Sequence, residues 1–467
     1  MSVKGVPYVA ESSFRNLCLH PFFCHTGRAL HTHQHTKDTL MLINTANPTP
    51  NTPSAKKVPL THNSPLAHTL SALANGDRVI IVDSPPGAGK TTLITNLAYT
   101  LATRTDIVPP AHGEKATRVN VGAPTRRGAT DLALRIGDIL KGTRCSPELQ
   151  SPDTHFNVND LRELNLRGNS VQDGTLDMSI ATMARHAQTG RSYHVGTVPQ
   201  LFIVDEAYQV TFADFYDAVI EPQALLVGDP GQIGPVVTSQ YGTWGTRKAM
   251  PGDRCPDAIA KTYGVTPTRI HLPHTYRFGV DTVNVIAPFY DFDFTTARPD
   301  TWVDQGGRVP EITVTDTTWD TPDKEAETVA TTATNYVGAT LKRDGEPDRE
   351  ITEKDILIVV AHNAQVTRIT AQLATTGHPG ITVLTADKAQ GAQYPVVIGV
   401  DPMSGRDTLS SHHLEPGRLC VMLSRHQAHL HWFQSAKWRD QLDGAYTTQK
   451  QRRTLTAVKT ELDTHKN

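Results

Sequence analysis

Short apolar runs, each followed by a longer stretch with helical periodicity, recur along most of the chain. In the first half the predicted strands are residues 79–82, 118–121, 201–204 and 224–227. Three of them are continuous apolar runs, which are typical of strands covered on both faces. Alternating strands and helices predict an α/β fold in which a parallel sheet is flanked by helices.

The same pattern starts again in the second half of the chain. Predicted strands at residues 270–272, 355–360, 381–384 and 419–423 each precede a polar turn or a helical stretch. This second set contains no glycine-rich loop like the one that follows residue 83. The sequence therefore predicts two similar α/β domains and one functional cleft between them, closed by residues of the second domain.

Changes in composition along the chain predict the domain boundaries. The N-terminal stretch is polar, rich in Thr, Pro and Asn and without period, which predicts disorder, and its scattered Cys and His residues match no standard zinc spacing. The predicted organisation is a disordered extension (1–60), a first domain (61–268) with a short polar insert (141–196), a second domain (269–440) and a polar C-terminal tail (441–467).

Charge and cysteine content narrow the class of protein only a little. The 467 residues include 45 Lys and Arg against 47 Asp and Glu, so a net charge of −2 gives no indication of a nucleic-acid partner. Five scattered cysteines favour a reducing compartment over a disulfide framework. No apolar run approaches the roughly 20 residues that cross a bilayer. We therefore expect a cytoplasmic protein with no membrane partner.

A phosphate-binding loop follows the first predicted strand. In SPPGAGKTT, Gly87 and Gly89 allow backbone N–H groups to converge on phosphate oxygens, Lys90 can reach the β- and γ-phosphates, and Thr91 can bind Mg²⁺. The strict pattern opens with glycine, whereas this loop opens with Ser84. The predicted nucleotide-binding residues are Ser84, Pro85, Pro86, Gly87, Ala88, Gly89, Lys90, Thr91 and Thr92.

Two further strands end in polar residues that suit the same chemistry. The run at 201–204 ends in Asp205 and Glu206, and the run at 224–227 leads into GDPGQIGPVV. Ligands of open α/β sheets bind at the carboxyl edge of the strands. Asp205 is thus predicted to hold Mg²⁺, Glu206 to activate the attacking water, and Gln232 to contact the γ-phosphate.

Taken together, these segments resemble the superfamily 1 helicases over about residues 66–435. The motifs occur in the family's order: SPPGAGKTT, GAPTRRGATDLA, LFIVDEA, GDPGQIGPVV, HTYRFG, VLTADKAQGAQYPVVI and RLCVMLSRH. The helicase domains of alphavirus-like RNA viruses and the nonsense-mediated-decay helicases are the most similar branches. The resemblance implies two tandem RecA-like P-loop NTPase domains, ATP with Mg²⁺, and movement from 5′ to 3′ on single-stranded RNA or DNA.

The resemblance also assigns roles to residues of the second domain. Arg277 and Arg425 would be arginine fingers that neutralise charge developing on the transferred phosphoryl group. Gln390 and Gly391 match the motif that couples the nucleotide cleft to the nucleic-acid groove. No glutamine upstream of Gly76 stands where many relatives read adenine, so the base preference stays open.

Contacts to nucleic acid are predicted at two other loops. Arg126 and Arg127 either bind phosphates of the strand or cap a solvated helix, and Thr125 and Thr182 are further backbone contacts. The predicted function is an ATP-dependent helicase or translocase. The alternatives are a remodeller of ribonucleoprotein that does not separate strands and a nucleotide-gated switch that hydrolyses slowly.

Overall fold

A computed structural model describes most of the chain from residue 61 onwards. The described residues are 61–104, 106–110, 116–143, 145, 147–150, 176–190, 199–219, 223–237, 249–262 and 266–466. They all belong to one compact unit, residues 47–467. The predicted disordered extension and its Cys and His residues lie outside the described residues.

The first sheet has seven strands within the described residues, and all of them run parallel. The strands are β1 (Val79–Asp83), β2 (Thr117–Ala123), β3 (Glu148–Leu149), β4 (Leu176–Thr182), β5 (Leu201–Val204), β6 (Gln223–Gly228) and β7 (Thr268–His271), in the order β3-β4-β2-β5-β6-β1-β7. The accompanying helices are α1 (Pro65–Ala74), α2 (Lys90–Thr103), α3 (Arg126–Ile139), α4 (Met183–Gly190), α5 (Phe212–Ala218) and α6 (Cys255–Thr262).

Strand β1 shows why these runs are apolar throughout. Ile80 and Val82 belong to the core cluster on one face of the sheet, and Val79 and Ile81 belong to the cluster on the other face. Successive side chains of a strand point to opposite faces, so a strand between two layers of helices needs apolar residues at every position. Burial on both faces therefore fixes the place of the loop that follows β1.

The second sheet has five parallel strands in the part of the chain that the structure describes, in the order β11-β17-β16-β14-β15. Two small sheets precede or accompany it: β8 (His274–Thr275) with β9 (Thr295–Thr296), and β10 (Thr301–Asp304) with β12 (Thr340–Arg343) and β13 (Arg349–Glu350). The strands of the large sheet are β11 (Ile312–Thr317), β14 (Ile356–Val360), β15 (Thr382–Thr385), β16 (Tyr394–Val400) and β17 (His426–Ser435).

Helices cover this second sheet on both faces as well. They are α7 (Val280–Ile286), α8 (Pro322–Thr334), α9 (Asn363–Thr375), α10 (Ala386–Ala389), α11 (Pro416–Leu423), α12 (Trp438–Asp443) and α13 (Gln449–Asp463). In β14, Leu357 and Val359 join one core cluster, and Ile358 joins the other. The predicted α/β class with parallel sheets flanked by helices is confirmed. None of the described helices is long and apolar enough to cross a membrane.

Two predictions for the second half are wrong, the sheet to which the strand at 270–272 belongs and the strand at 419–423. Residues 270–272 were expected in the second sheet, but β7 pairs with β1 and is the edge strand of the first. Residues 419–423 form the end of helix α11, which starts at Pro416 after the cap Glu415. Both sides of this helix are buried, so its apolar run has no helical period, and periodicity cannot separate such a helix from a buried strand.

Two of the predicted polar segments contain regular structure. The segment at 141–196 includes β4, which pairs with β2 along its whole length, and the helix α4 that follows it. The predicted C-terminal tail contains helix α13, which buries Leu455, Val458 and Leu462 against the second core. Its one buried cation, Lys459, forms an ion pair with Asp401 at 2.5 Å.

A buried histidine, His429, is expected to make the second domain less stable in acid. His429 is fully buried; its Nδ1 donates to the Pro310 carbonyl at 2.7 Å, which leaves Nε2 to accept from the Tyr336 hydroxyl at 2.7 Å. Burial lowers the pKa of His429 from 6.5 to about 3. The unfolded chain binds this proton more readily, so the stabilisation is complete above pH 6.5 and is lost as the pH falls towards 3.

We expect His429→Gln to make stability less dependent on pH. Between pH 6.5 and 5 the wild-type protein should lose about 2 kcal/mol through this residue. At pH 6.5 the glutamine variant should have a lower free energy of unfolding than the wild-type protein, and this free energy should fall less between pH 6.5 and 5. Urea unfolding at each pH measures both. His62, an exposed histidine, provides the control His62→Gln. Equal pH slopes for His429→Gln and the wild-type protein would show that the residue does not titrate on unfolding.

Candidate active site

The loop between β1 and α2 has the backbone that binding of phosphate requires. Gly87 and Gly89 have φ angles of +76° and +88°, in the left-handed region that side chains other than glycine rarely adopt. Gly89 caps helix α2, which begins at Lys90. The first N–H groups of a helix have no partner within it and attract anions. The loop and the helix start therefore offer donors to one anion.

Ser84, where the strict pattern has glycine, is fully buried. Its backbone N–H and its hydroxyl both donate to the carbonyl of Gly228, at 3.0 and 3.2 Å. These bonds tie the start of the loop to the end of β6. Ser84 thus adds a side-chain hydrogen bond that glycine at this position could not form.

The segment that contains β8 packs directly on the loop. Thr275 donates its hydroxyl to the Pro86 carbonyl at 2.8 Å, and the Tyr276 N–H donates to the Gly87 carbonyl at 3.0 Å. A β-carbon on Gly87 would lie 2.5 Å from the β-carbon of Arg277. Gly87 is therefore required for two reasons, its positive φ and this close approach, and Arg277 is held beside the phosphate-binding loop.

Carboxylates surround Lys90. The Lys90 Nζ lies 3.4 Å from Glu206 Oε1. Burial alone would lower the pKa of Lys90, but the charges of Glu206, Asp229 and Asp205 outweigh it, and the pKa is raised. Lys90 is therefore protonated at physiological pH and available to an anion.

Asp205 and Glu206 follow β5 as predicted. Glu206 has a φ of +50° and is the one residue other than glycine with a positive φ among the described residues. Backbone strain of this kind is concentrated at functional sites. Burial, and then the charge of Glu206, raise the pKa of Asp205 to about 7. The carboxylate of Asp205 and the hydroxyl of Thr91 are hard oxygen donors, the kind of ligand that Mg²⁺ prefers.

Arg277 and Arg425 meet at Ser424. The Arg277 Nη1 donates to the Ser424 carbonyl and the Arg425 Nη2 donates to the Ser424 hydroxyl, each at 2.9 Å. Burial, and then the neighbouring Arg425, lower the pKa of Arg277 to about 9, while burial lowers the pKa of Arg425. Each Nε is buried without a hydrogen-bond partner, and neither arginine forms an ion pair with a described residue. Two neighbouring cations, one half-buried and one buried, fit an anionic ligand.

Gln232 lies where the two sheets meet. It is 6 % exposed, and its Nε2 donates to Asp229 Oδ2 at 2.6 Å. From the second domain, the Gln390 amide approaches Gln232 Oε1 at 3.4 Å, next to the left-handed Gly391. A β-carbon on Gly417 would lie 2.6 Å from the Gln232 carbonyl oxygen, so α11 also packs on this residue.

Asp229 was missed by the sequence analysis. It is 1 % exposed and follows β6, the strand between β5 and β1. Its charge contributes to the raised pKa of Lys90, and its carboxylate holds Gln232. Asp229 follows directly after a buried strand, so the rule that identified Asp205 would also have identified it from the sequence.

A cavity of about 480 Å³ in the second domain was also missed. It lies at the carboxyl ends of β11, β14 and β16 and is lined by residues that include Trp319, His362, Arg368 and Arg406. His362 caps α9. A second cavity, of about 810 Å³, lies beside the phosphate-binding loop and is lined by Gly87, Thr91, Tyr276 and Arg343 among others. Tyr276 is 56 % exposed there.

The four predicted nucleic-acid contacts lie together, away from the cleft. Thr125 caps α3 by accepting from the Gly128 N–H at 3.1 Å, and Thr182 accepts from the Arg185 N–H at 3.2 Å. Ala123 and Thr182 are neighbours in the register of β2 and β4. Arg126 and Arg127 are exposed at the start of α3. Strands β5 and β6 separate this edge from β1 and its loop.

Solved structures similar to this one include helicases, all at low sequence identity. The PRRSV helicase shows 13% identity and a TM-score of 0.39 over 82% of this chain and 56% of that chain. Arterivirus nonstructural protein 10, a helicase, shows 15% identity and a TM-score of 0.40 over 80% of this chain and 64% of that chain. S. cerevisiae Dbp5 bound to RNA shows 12% identity and a TM-score of 0.46, over 84% and 85% of the two chains. This chain thus spans less than two thirds of the two viral helicases.

Sequence comparison gives a narrower result. No curated protein matches the sequence of the chain. Residues 67–243 match the family model described as an AAA domain. This range begins in α1 and includes the phosphate-binding loop, the Asp205–Glu206 pair and Gln232. The match thus covers the first-domain part of the cleft described above.

Proposed function

We propose that this chain is an ATP-dependent translocase of the helicase type that moves on single-stranded nucleic acid. The observation that supports it most is the pair of arginines beside the phosphate-binding loop, the half-buried Arg277 and the buried Arg425, which form no ion pair with a described residue. A nucleotide switch or a small-molecule kinase does not need a second sheet whose arginines reach the γ-phosphate. A motor driven by closure of two domains needs the second sheet and its arginines.

Each residue of the cleft has a role in this proposal. Lys90 and the loop N–H groups bind the phosphates, and Gln232 contacts the γ-phosphate. Glu206 accepts a proton from the attacking water. Arg277 and Arg425 stabilise the negative charge that develops on the transferred phosphoryl group. Thr91 and Asp205 would hold Mg²⁺, which would neutralise part of the negative charge of the phosphates.

The track for the strand crosses the carboxyl edges of both sheets. In the first domain, Thr125, Arg126, Arg127 and Thr182 contact its phosphates at two adjacent helix starts. In the second domain the cavity with Arg368 and Arg406 supplies further cations, and Trp319 offers a ring for base stacking. Because bound ATP contacts both domains, hydrolysis changes their separation and with it the grip on the strand. We propose 5′ to 3′ movement.

The test is ATP hydrolysis by the purified chain alone, with single-stranded RNA, and with single-stranded DNA. We expect one polymer to stimulate hydrolysis strongly and Lys90→Ala to abolish it, because the phosphates lose the cation of the loop. Lys450→Ala, on the exposed start of α13, is the matched control. Hydrolysis that neither polymer changes would reject the motor and favour a nucleotide-gated switch. Stimulated hydrolysis without strand separation would favour a remodeller of ribonucleoprotein.

A further inference from the structure

Tyr290 connects the core of the second domain to the loop after β6 in the first. Its ring packs edge-on against Phe292 and Phe294, with centroids 5.4 and 5.2 Å apart, in the second core cluster. Its hydroxyl donates to Asp229 Oδ1 at 2.9 Å. Burial, and then the charge of Asp229, raise the pKa of Tyr290 well above 10, so this hydroxyl remains a donor at any physiological pH.

The loop of the first domain is shaped for this contact. A β-carbon on Gly231 would lie 2.6 Å from the ring of Tyr290, although the backbone of Gly231 is one that any residue can adopt. Glycine is thus required here by the approach of the tyrosine and not by the turn. Gly231 also donates its N–H to the same Asp229 oxygen, at 3.0 Å.

Asp229 links Tyr290 to Gln232 through hydrogen bonds to its two carboxylate oxygens. One carboxylate oxygen accepts from Tyr290 and Gly231, and the other accepts from Gln232 Nε2 at 2.6 Å. The two oxygens of a carboxylate are rigidly joined, so fixing one fixes the direction of the other. With Nε2 held in this way, Gln232 Oε1 faces the second domain, where Gln390 approaches it.

We infer that Tyr290 is a positioning residue that acts through Asp229 on Gln232 and orients this side chain for hydrolysis only when the second domain is seated against the first. When the domains separate, Tyr290 moves away from Asp229 together with the core of the second domain. Gln232 then loses its fixed orientation. Hydrolysis is thereby restricted to the closed cleft. This inference rests on the proposed function.

Tyr290→Phe removes only the hydroxyl and is the direct test. In the full chain with nucleic acid present, we expect kcat for ATP hydrolysis to fall on the order of tenfold to a hundredfold, with KM unchanged. Gln232→Ala should reduce kcat too, and Tyr290→Phe added to it should cause no further loss, because the tyrosine acts through the glutamine. Tyr446→Phe, at a fully exposed tyrosine, is the control.

A second variant tests the same contact from the other side. Gly231→Ala should push Tyr290 away and reproduce the fall in kcat, which a fold-wide effect of Tyr290→Phe would not predict. Unchanged kcat in Tyr290→Phe, a change confined to KM, or full additivity with Gln232→Ala would each overturn the inference while leaving the proposed function intact. A wild-type protein that does not hydrolyse ATP would reject both.

Discussion

Replacing Arg425 with alanine is expected to lower kcat for ATP hydrolysis by about 10³ to 10⁵, the range measured for arginine fingers. The guanidinium is 1 % exposed, and in the described structure it has no carboxylate within ion-pair distance, so its charge is available to the substrate. Negative charge grows on the phosphoryl oxygens as the bond to the leaving group lengthens. Loss of Arg425 therefore affects the transition state more than bound ATP.

Steady-state kinetics of three variants checks this. Arg425→Lys retains a charge but not the planar fork of donors, so its kcat should lie between those of Arg425→Ala and the wild-type protein. Arg453→Ala removes an exposed arginine of α13 and should leave kcat unchanged. If Arg425→Ala hydrolyses ATP at the wild-type rate, Arg425 is a structural cation, and the proposed mechanism loses its main support.

The sequence predicts best those features that depend on neighbouring residues alone. The loop from Ser84 to Thr92 has its strand, its two glycines and its helix within a few residues, so a local pattern suffices to identify it. The strand ending in Asp205 is similar, because burial on both faces requires an uninterrupted apolar run. For the same reason the class of fold and most strands of the first domain could be predicted.

Features that depend on distant contacts could not be predicted. Strand β7 is an edge strand whose assignment to the first sheet depends on pairing with β1, almost 190 residues earlier, and nothing in its own residues specifies that partner. Asp229 was visible at the end of a strand, but its bond to Tyr290 joins the two domains. The helix at 416–423 was hidden because burial on all sides removes its helical period.

The ion pair between Lys459 and Asp401 is a further example, and it carries the largest stability prediction. Lys459 is fully buried, Asp401 is 1 % exposed, and their charged atoms are 2.5 Å apart. Asp401 also accepts from the backbone N–H groups of Met403 and Ser435. The pair thus joins helix α13 to the carboxyl ends of β16 and β17.

Lys459→Met is expected to lower the free energy of unfolding by about 3–5 kcal/mol, because it leaves the Asp401 charge buried without its counterion. Methionine fills a similar volume, so little of this loss comes from packing. Adding Asp401→Asn should restore much of the stability, since the amide is uncharged and the burial of an unpaired charge is avoided. Urea unfolding followed by circular dichroism measures both changes, and Lys450→Met in the exposed first turn of α13 is the control. If Lys459→Met is as stable as this control, α13 is held by its apolar residues Leu455, Val458 and Leu462 alone.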